Sequence, residues 1–240
     1  MKEIKRIAAK YNLRIIEDAA HAIEASRDGV RVGHLSDTVC LSFYATKNIT
    51  SGEGGAIATD KEPLAETLRM LRLHGIDKGA VDRYTKRYEH WDMPVLGWKC
   101  NMDNIQAALL IGQLGRIESL WKRRDSLWRF YEHELKAVRG IRPLKTRKGV
   151  KHARHLLTIL VHPDKRDSLL WNLQDRGIGV AVNYRPIHLL KYYRHAFGYR
   201  EGNFPVAETI GKSTISLPFY PSLRKTDVKY VVKVLKELIA

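Results

Sequence analysis

Cysteine is scarce: the 240 residues contain two, Cys40 and Cys100. That is too few for a disulfide framework. Neither has a second cysteine at C-x-x-C spacing, so both read as reduced packing residues of a cytoplasmic protein. Long apolar runs are also missing. No stretch approaches the roughly 20 apolar residues that cross a bilayer, so no membrane partner is expected. The opening run Lys2–Tyr11 lacks the apolar core of a signal peptide, which argues against export. No internal repeat or low-complexity tract is visible. Acidic residues are short as well, 26 against 42 Lys and Arg, for a net charge of +16. A hydrophobic content of 44% suits a folded globular chain. The length fits one large or two modest domains.

The excess of positive charge has three readings. It can be a solvated basic surface, a field that attracts a nucleotide diphosphate, or a nucleic-acid footprint. The basic residues are spread along the chain, at Lys122-Arg-Arg, Lys145-Thr-Arg-Lys148, Lys151, Arg154, Arg194 and Arg200. No zinc-finger spacing, basic zipper or helix-turn-helix pattern accompanies them, so no nucleic-acid partner is expected. His152 and His155 frame the start of a strand, but no third ligand is suggested, and no metal is expected.

Strand-like and helix-like patterns alternate, which indicates an α/β layered architecture. Lys2–Tyr11 reads as a helix, Arg14–Glu17 as a buried strand, and Val39–Phe43 and Ala56–Thr59 as two more strands. Glu62–Leu73 has a helical spacing of Leu64, Leu68 and Leu71. His74–Gly97 reads as a long loop. Asp103–Ala137 reads as one helix, weakened at Gly112 and Gly115. Gly140–Lys151 reads as a link or hairpin. Strand Leu156–Val161, helix Asp164–Arg176, strand Gly179–Val182, helix Pro205–Lys212, strand Ile215–Pro218 and helix Lys225–Ile239 complete the pattern. The domain boundary is placed within the long helix, giving units 1–118 and 119–240.

The chemistry concentrates in Ser42-Phe-Tyr-Ala-Thr-Lys47-Asn-Ile-Thr-Ser-Gly-Glu-Gly-Gly55. It puts one lysine on a short turn between two strands, with a serine five positions earlier and a glycine cluster after it. Upstream, Glu17-Asp18-Ala19-Ala20-His21 places an acid at the end of another apolar run. Each residue has a plain reading. Lys47 alone is a surface lysine, Asp18 alone a helix-capping or turn acid, and the glycines alone a tight turn. Together they supply an amine that can condense with an aldehyde, an acid that can hold a protonated pyridine, and a hydroxyl for a phosphate. Those are the parts of a pyridoxal 5'-phosphate site, where the cofactor is the electron sink and the protein supplies attachment and electrostatics.

Residues Ile15–Asp60 resemble the DegT–DnrJ–StrS group of nucleotide-sugar aminotransferases. The resemblance continues through Arg69–Gly75, Trp98–Ala108, Asp175–Gly179, His188–Tyr193 and Ser216–Pro221. It implies the type I (aspartate aminotransferase-like) fold, α/β, with a C-terminal α/β small domain. Members are longer at the N-terminus, so the chain is expected to be an N-terminally truncated version. The absent strands and helices would supply an aromatic residue that stacks on the cofactor and a helix N-terminus for its phosphate.

The resemblance also assigns roles. Lys47 is the catalytic, cofactor-bearing lysine. Asp18 holds the pyridinium nitrogen, Ser42 the phosphate, and His21 the ring or its 3-oxygen; His21 also reads as a packing residue. Asn101 reaches the phosphate of a neighbouring subunit, which implies a homodimer with shared sites; alone it reads as a helix N-cap. Tyr184, Arg185 and His188 lie where the family contacts the sugar nucleotide, although Arg185-Pro186 also reads as a turn. The implied activity is amino transfer from glutamate to a keto nucleotide sugar, with the keto group expected at C4. Related sugar dehydratases carry histidine in place of the lysine, and Lys47 argues against them. The alternative is an incomplete fragment or regulatory remnant that keeps the motifs without closing the site.

Overall fold

The computed structural model describes residues 1–79, 87 and 90–239. The chain divides into two compact units. The first comprises Met1–Ile117 with Gly149–Ala153, the second Glu118–Lys148 with Arg154–Ala240.

The first unit opens with helix α1 (Lys2–Lys10), followed by strand β1 (Ile16–Asp18). A tight hairpin joins β2 (Ser26–Arg27) to β3 (Val30–Arg31). Its two-residue turn is Asp28-Gly29, both at positive φ, the pairing that matches the twist of adjoining strands. Strands β4 (Thr38–Ser42) and β5 (Gly55–Ala58) follow, then helices α2 (Glu62–Leu71) and α3 (Asn104–Leu114). The main sheet runs β1-β4-β5, with β1 parallel to β4 and β4 antiparallel to β5. Its small core is Phe43, Ile49 and Leu110, with Ile23, Leu41, Met102 and Ile117 packed around it.

The second unit holds α4 (Ile117–Leu135), which begins at the boundary, and β6 (Arg142–Pro143). Strand β7 (Val150–Lys151) belongs to the first unit and pairs with β2. Strand β8 (Leu157–Leu160) and helix α5 (Pro163–Asp175) follow, then a short 3-10 turn at Ile187–Leu189. Helices α6 (Lys191–Phe197) and α7 (Pro205–Ser213), strand β9 (Thr214–Leu217) and helix α8 (Lys225–Ile239) complete the unit. Its sheet is antiparallel, in the order β6-β8-β9. Along α8, Val228, Val231, Val232 and Leu235 recur at helical spacing and are buried against this layer. Burial of a side chain such as Leu173 or Ile215 contributes about 1.5–3 kcal/mol. Tyr131 is fully buried and donates its hydroxyl to the Pro218 carbonyl at 2.9 Å. Burial raises its phenol pKa well above the usual value.

Several expectations need correction. Strand β1 is not buried: Ile16 is 73% exposed, because β1 lies at the sheet edge. The helix expected over Asp103–Ala137 is two helices. The turn at Gly115-Arg116 ends α3, with the Arg116 N–H donating to Gln113 O. Of the two readings of Gly140–Lys151 the link stands and the hairpin does not, since β6 pairs with β8 and β7 with β2. The strand expected at Gly179–Val182 is a single bridge from Ala181 to Ser216. Helix α6 was not foreseen. Part of the loop expected over His74–Gly97 lies outside the described residues.

Candidate cofactor site

Strands β1 and β4 are parallel neighbours, so their carboxyl ends lie together. That is the edge where open α/β sheets commonly bind ligands. Asp18 is in register with Cys40, and Ser42 stands two residues further along β4. Side chains in register share a face, and alternate residues along a strand do too. Asp18, Cys40 and Ser42 therefore occupy one face of the sheet edge.

The turn after β1 carries His21. Two charges reach its half-buried ring. Burial is the main cause that lowers its pKa, the Lys47 ammonium lowers it further, and the Asp18 carboxylate opposes both. The acid, the imidazole and the amine thus share one electrostatic neighbourhood within the first unit. The Asp18 carboxylate also accepts from the Ala20 N–H at 3.0 Å, so its turn role is real. Ser42 accepts from the Tyr44 N–H at 3.4 Å, a long bond. Asp18 further lines a cavity of about 560 Å³ with Glu17, Ala22, Arg27 and Arg31.

Lys47 sits on a closed turn. Its N–H donates to Tyr44 O at 2.9 Å, and the Ser51 N–H donates to Phe43 O at 3.0 Å. Asn48 donates to Glu24 Oε2 at 2.8 Å and to Ala153 O at 3.0 Å. Ile49 is 1% exposed and plugs the core beneath. The Gln113 side-chain amide clasps the Thr50 backbone, accepting its N–H at 3.0 Å and donating to its carbonyl at 2.7 Å. Gly54 has φ +145, and a Cβ there would meet Met102 Cε at 2.5 Å. Sequence reasoning missed Glu24 and Gln113. Asn48 and Thr50 stood inside the quoted motif without a role of their own, and nothing local marked Gln113.

Asn101 is exposed and accepts from Lys99 Nζ at 2.5 Å. It does not cap a helix. Asp103 is the N-cap of α3, accepting from the Gln106 N–H at 2.8 Å.

Tyr184, Arg185 and His188 come together in the second unit around a cavity of about 580 Å³, with Tyr193, Tyr199 and Phe204. Tyr184 and Arg185 are exposed, whereas His188 is buried. The His188 ring meets Glu208 Oε1 at 2.9 Å and packs edge-on against Phe204. Glu208 also accepts from the Gly202 and Phe204 N–H groups. The Gly202 bond is the largest influence holding its carboxyl below the usual range, with help from His188 and Phe204 against the cost of burial. His188 is therefore fastened inside the unit and is not a free arm at the cavity. Among the described residues, no group of three or more His, Cys, Asp or Glu could hold a metal ion. No helix among them is long and apolar enough to cross a membrane.

The sequence matches the DegT/DnrJ/EryC1/StrS aminotransferase family over residues 1–236. The chain belongs to that family.

Two curated relatives align over the whole chain. An uncharacterized protein of Methanocaldococcus jannaschii, MJ1066, is 41% identical. The spore coat polysaccharide biosynthesis protein SpsC of Bacillus subtilis is 36% identical. The chain spans 64% of the length of the first and 63% of the second. Among solved structures, the putative sugar aminotransferase Spr1654 of Streptococcus pneumoniae in its PMP form superposes with a TM-score of 0.87 at 30% identity. That match covers 97% of this chain and 60% of the other. Likeness to this family's solved structures gives the chain the type I fold of the PLP-dependent sugar aminotransferases.

Proposed function

We propose that the chain contributes the lysine side of a pyridoxal 5'-phosphate site that transfers an amino group from glutamate to a keto nucleotide sugar, at C4. The observation that carries this reading is the shared neighbourhood of Asp18, His21 and Lys47 at the carboxyl edge of β1 and β4. The donor set fits the cofactor: an amine for its aldehyde, a carboxylate for its pyridine nitrogen and a hydroxyl for its phosphate. When bound, the cofactor supplies an electron sink for the bonds at the amine-bearing carbon.

The residues divide the remaining work. Asp18 keeps the ring nitrogen protonated, because opposite charges stabilise each other's ionised forms. Ser42 orients the phosphate by donating its hydroxyl. His21 is a neutral neighbour at pH 7, since burial and Lys47 disfavour its charged form. Lys47 Nζ would hold the cofactor's aldehyde carbon, and as a free amine it would take the proton from the glutamate α-carbon and return one to the sugar C4. Glutamate leaves as 2-oxoglutarate and the sugar leaves as the amine. Tyr184 and Arg185, exposed at their cavity, meet the sugar nucleotide, and His188 supports them from inside.

A homodimer with shared sites fits helix α3. Ile105, Leu109, Ile111 and Leu114 are exposed on it, and Leu110 is its buried residue. A helix apolar all round normally has a covering partner. Asn101, just ahead of α3, is the residue assigned to the neighbouring subunit's phosphate.

The test adds pyridoxal 5'-phosphate and L-glutamate to the purified chain with a 4-keto nucleotide sugar, and follows the visible spectrum and the amino sugar by mass. Cofactor absorbance and product are expected with the wild type. Lys47→Ala should lose both, and Asp18→Asn should keep much of the binding but little turnover. Product formation by Lys47→Ala at the wild-type rate contradicts the assignment.

A further inference from the structure

We propose that Gln113 is a positioning residue for Lys47, so that the place of the reactive amine is set by helix α3. The inference rests on the reading of Lys47 as the cofactor lysine. Gln113 belongs to the last turn of α3 and is half-buried. Its amide makes a two-point bond to one residue of the lysine turn, on the two peptide units that flank it: the Thr50 N–H donates to Oε1 at 3.0 Å and Nε2 donates to the Thr50 carbonyl at 2.7 Å. The same Nε2 donates to Leu109 O at 2.7 Å, one turn back, which fixes the side chain against its own helix. A bond that uses both a donor and an acceptor on one residue fixes orientation as well as distance.

The geometry passes from Thr50 to Lys47 through a short, stiff path. Thr50 Oγ1 donates to Phe43 O at 3.0 Å, and the Ser51 N–H donates to the same carbonyl at 3.0 Å. Ile49 is buried between Thr50 and Asn48, and Asn48 is bonded to Glu24 and Ala153. A shift at Thr50 therefore pulls on Phe43 and Ile49, and through them on Lys47. A catalytic amine must be held within a fraction of an ångström to keep its reacting geometry. Helix α3 is also the helix whose exposed apolar face fits a second subunit, so the clasp connects that face to the amine.

The test compares Gly112→Ala with Gln113→Ala made in that Gly112→Ala background. A Cβ at Gly112 meets nothing within 4 Å, and alanine favours the helix, so α3 is kept while the clasp is lost. Two readouts are used on the chain as it stands. Amide hydrogen exchange over residues 47–51 should accelerate about tenfold in the variant, with α3 residues 104–111 unchanged. Capture of pyridoxal 5'-phosphate at Lys47 is the second readout. The amine condenses with the aldehyde and loses water, and borohydride then fixes the new carbon–nitrogen bond by hydride addition. The rate at Lys47 should fall several-fold relative to the other lysines.

Unchanged exchange over 47–51, or acceleration that spreads equally through α3, overturns the proposal. So does an unchanged capture rate where the wild type captures the cofactor. Absence of capture at Lys47 in the wild type sinks the cofactor reading instead, and the exchange comparison still decides the clasp.

Discussion

The two units are stabilised by different means. The second is built on a continuous apolar core that runs from Leu127 on α4 through Ile159 and Ile215 in the sheet to Leu235 on α8. The first gathers a cluster around Phe43, Ile49 and Leu110, while Ile4, Ile7, Ile16, Ile57 and Ile105 stay exposed. Its order comes from polar clasps and close backbone approaches: Asn48 to Glu24, Gln113 to Thr50, Gly75 against Val95 and Gly97. The lesson is a division of labour. The unit with the deep core can hold its shape by burial, whereas the unit with the candidate cofactor residues fixes a turn by directed bonds and leaves apolar surface to be covered.

The largest effect is expected where burial and charge coincide. In the second unit Asp125 accepts from Arg154 at 3.0 Å and from Arg129 at 2.7 Å, and the Arg154 guanidinium lies 4.4 Å from the Trp128 ring centroid. Burial disfavours the Asp125 carboxylate, but the two arginines outweigh it and its pKa is lowered. Asp125→Ala removes the carboxylate that faces the buried Arg154, which keeps its bond to Thr146 at 3.2 Å, and should cost about 3–5 kcal/mol in urea unfolding. Because the folded-state pKa lies below the usual 3.8, this contribution is present above pH 4 and is lost as pH falls through the lowered value. Asp125→Asn should flatten that part of the acid unfolding curve.

Next in size is the core itself. Leu173→Ala, at a fully buried position, should cost about 2–5 kcal/mol. Ile57→Ala, half-exposed on the first unit's sheet, should change stability by less than about 0.5 kcal/mol in the same measurement. Equal losses would break the contrast between the units.

A smaller loss is expected from Gly75→Ala in the first unit. The backbone there has φ +82, and a Cβ would sit 1.7 Å from the Val95 carbonyl oxygen. The cost should exceed about 1 kcal/mol, a backbone effect with no apolar burial removed.

The smallest effect is a titration. The His21 ring should titrate below 6.5 by NMR. Lys47→Ala should move the midpoint up and Asp18→Asn should move it further down, because one charge disfavours the imidazolium and the other favours it. A midpoint that ignores both substitutions would separate the three residues.

Much of the candidate site was legible because its residues follow one another on neighbouring strands and the turn after them. Asp18 ends one strand, Ser42 ends its parallel neighbour, and Lys47 lies on the turn that follows. Strand and helix types followed from periodicity, as in α8. What failed depended on tertiary context. A two-residue strand such as β7 has no pattern of its own, and its pairing with β2 depends on chain far away. Burial of β1 was expected from its apolar residues, yet an edge strand takes its exposure from its neighbours. Gln113 meets Thr50 across 63 positions, a separation no local signal spans. The Asp28-Gly29 turn was readable as a hairpin signal and was passed over.

The central claim is that Lys47 holds the cofactor within the first unit. Incubation of the chain with pyridoxal 5'-phosphate, reduction with borohydride and peptide mapping by mass spectrometry tests it directly. The account predicts one dominant modified peptide containing Lys47, strongly reduced when Asp18 is replaced by Ala. Modification spread evenly over the chain's lysines, or concentrated on another lysine and indifferent to Asp18, would contradict it.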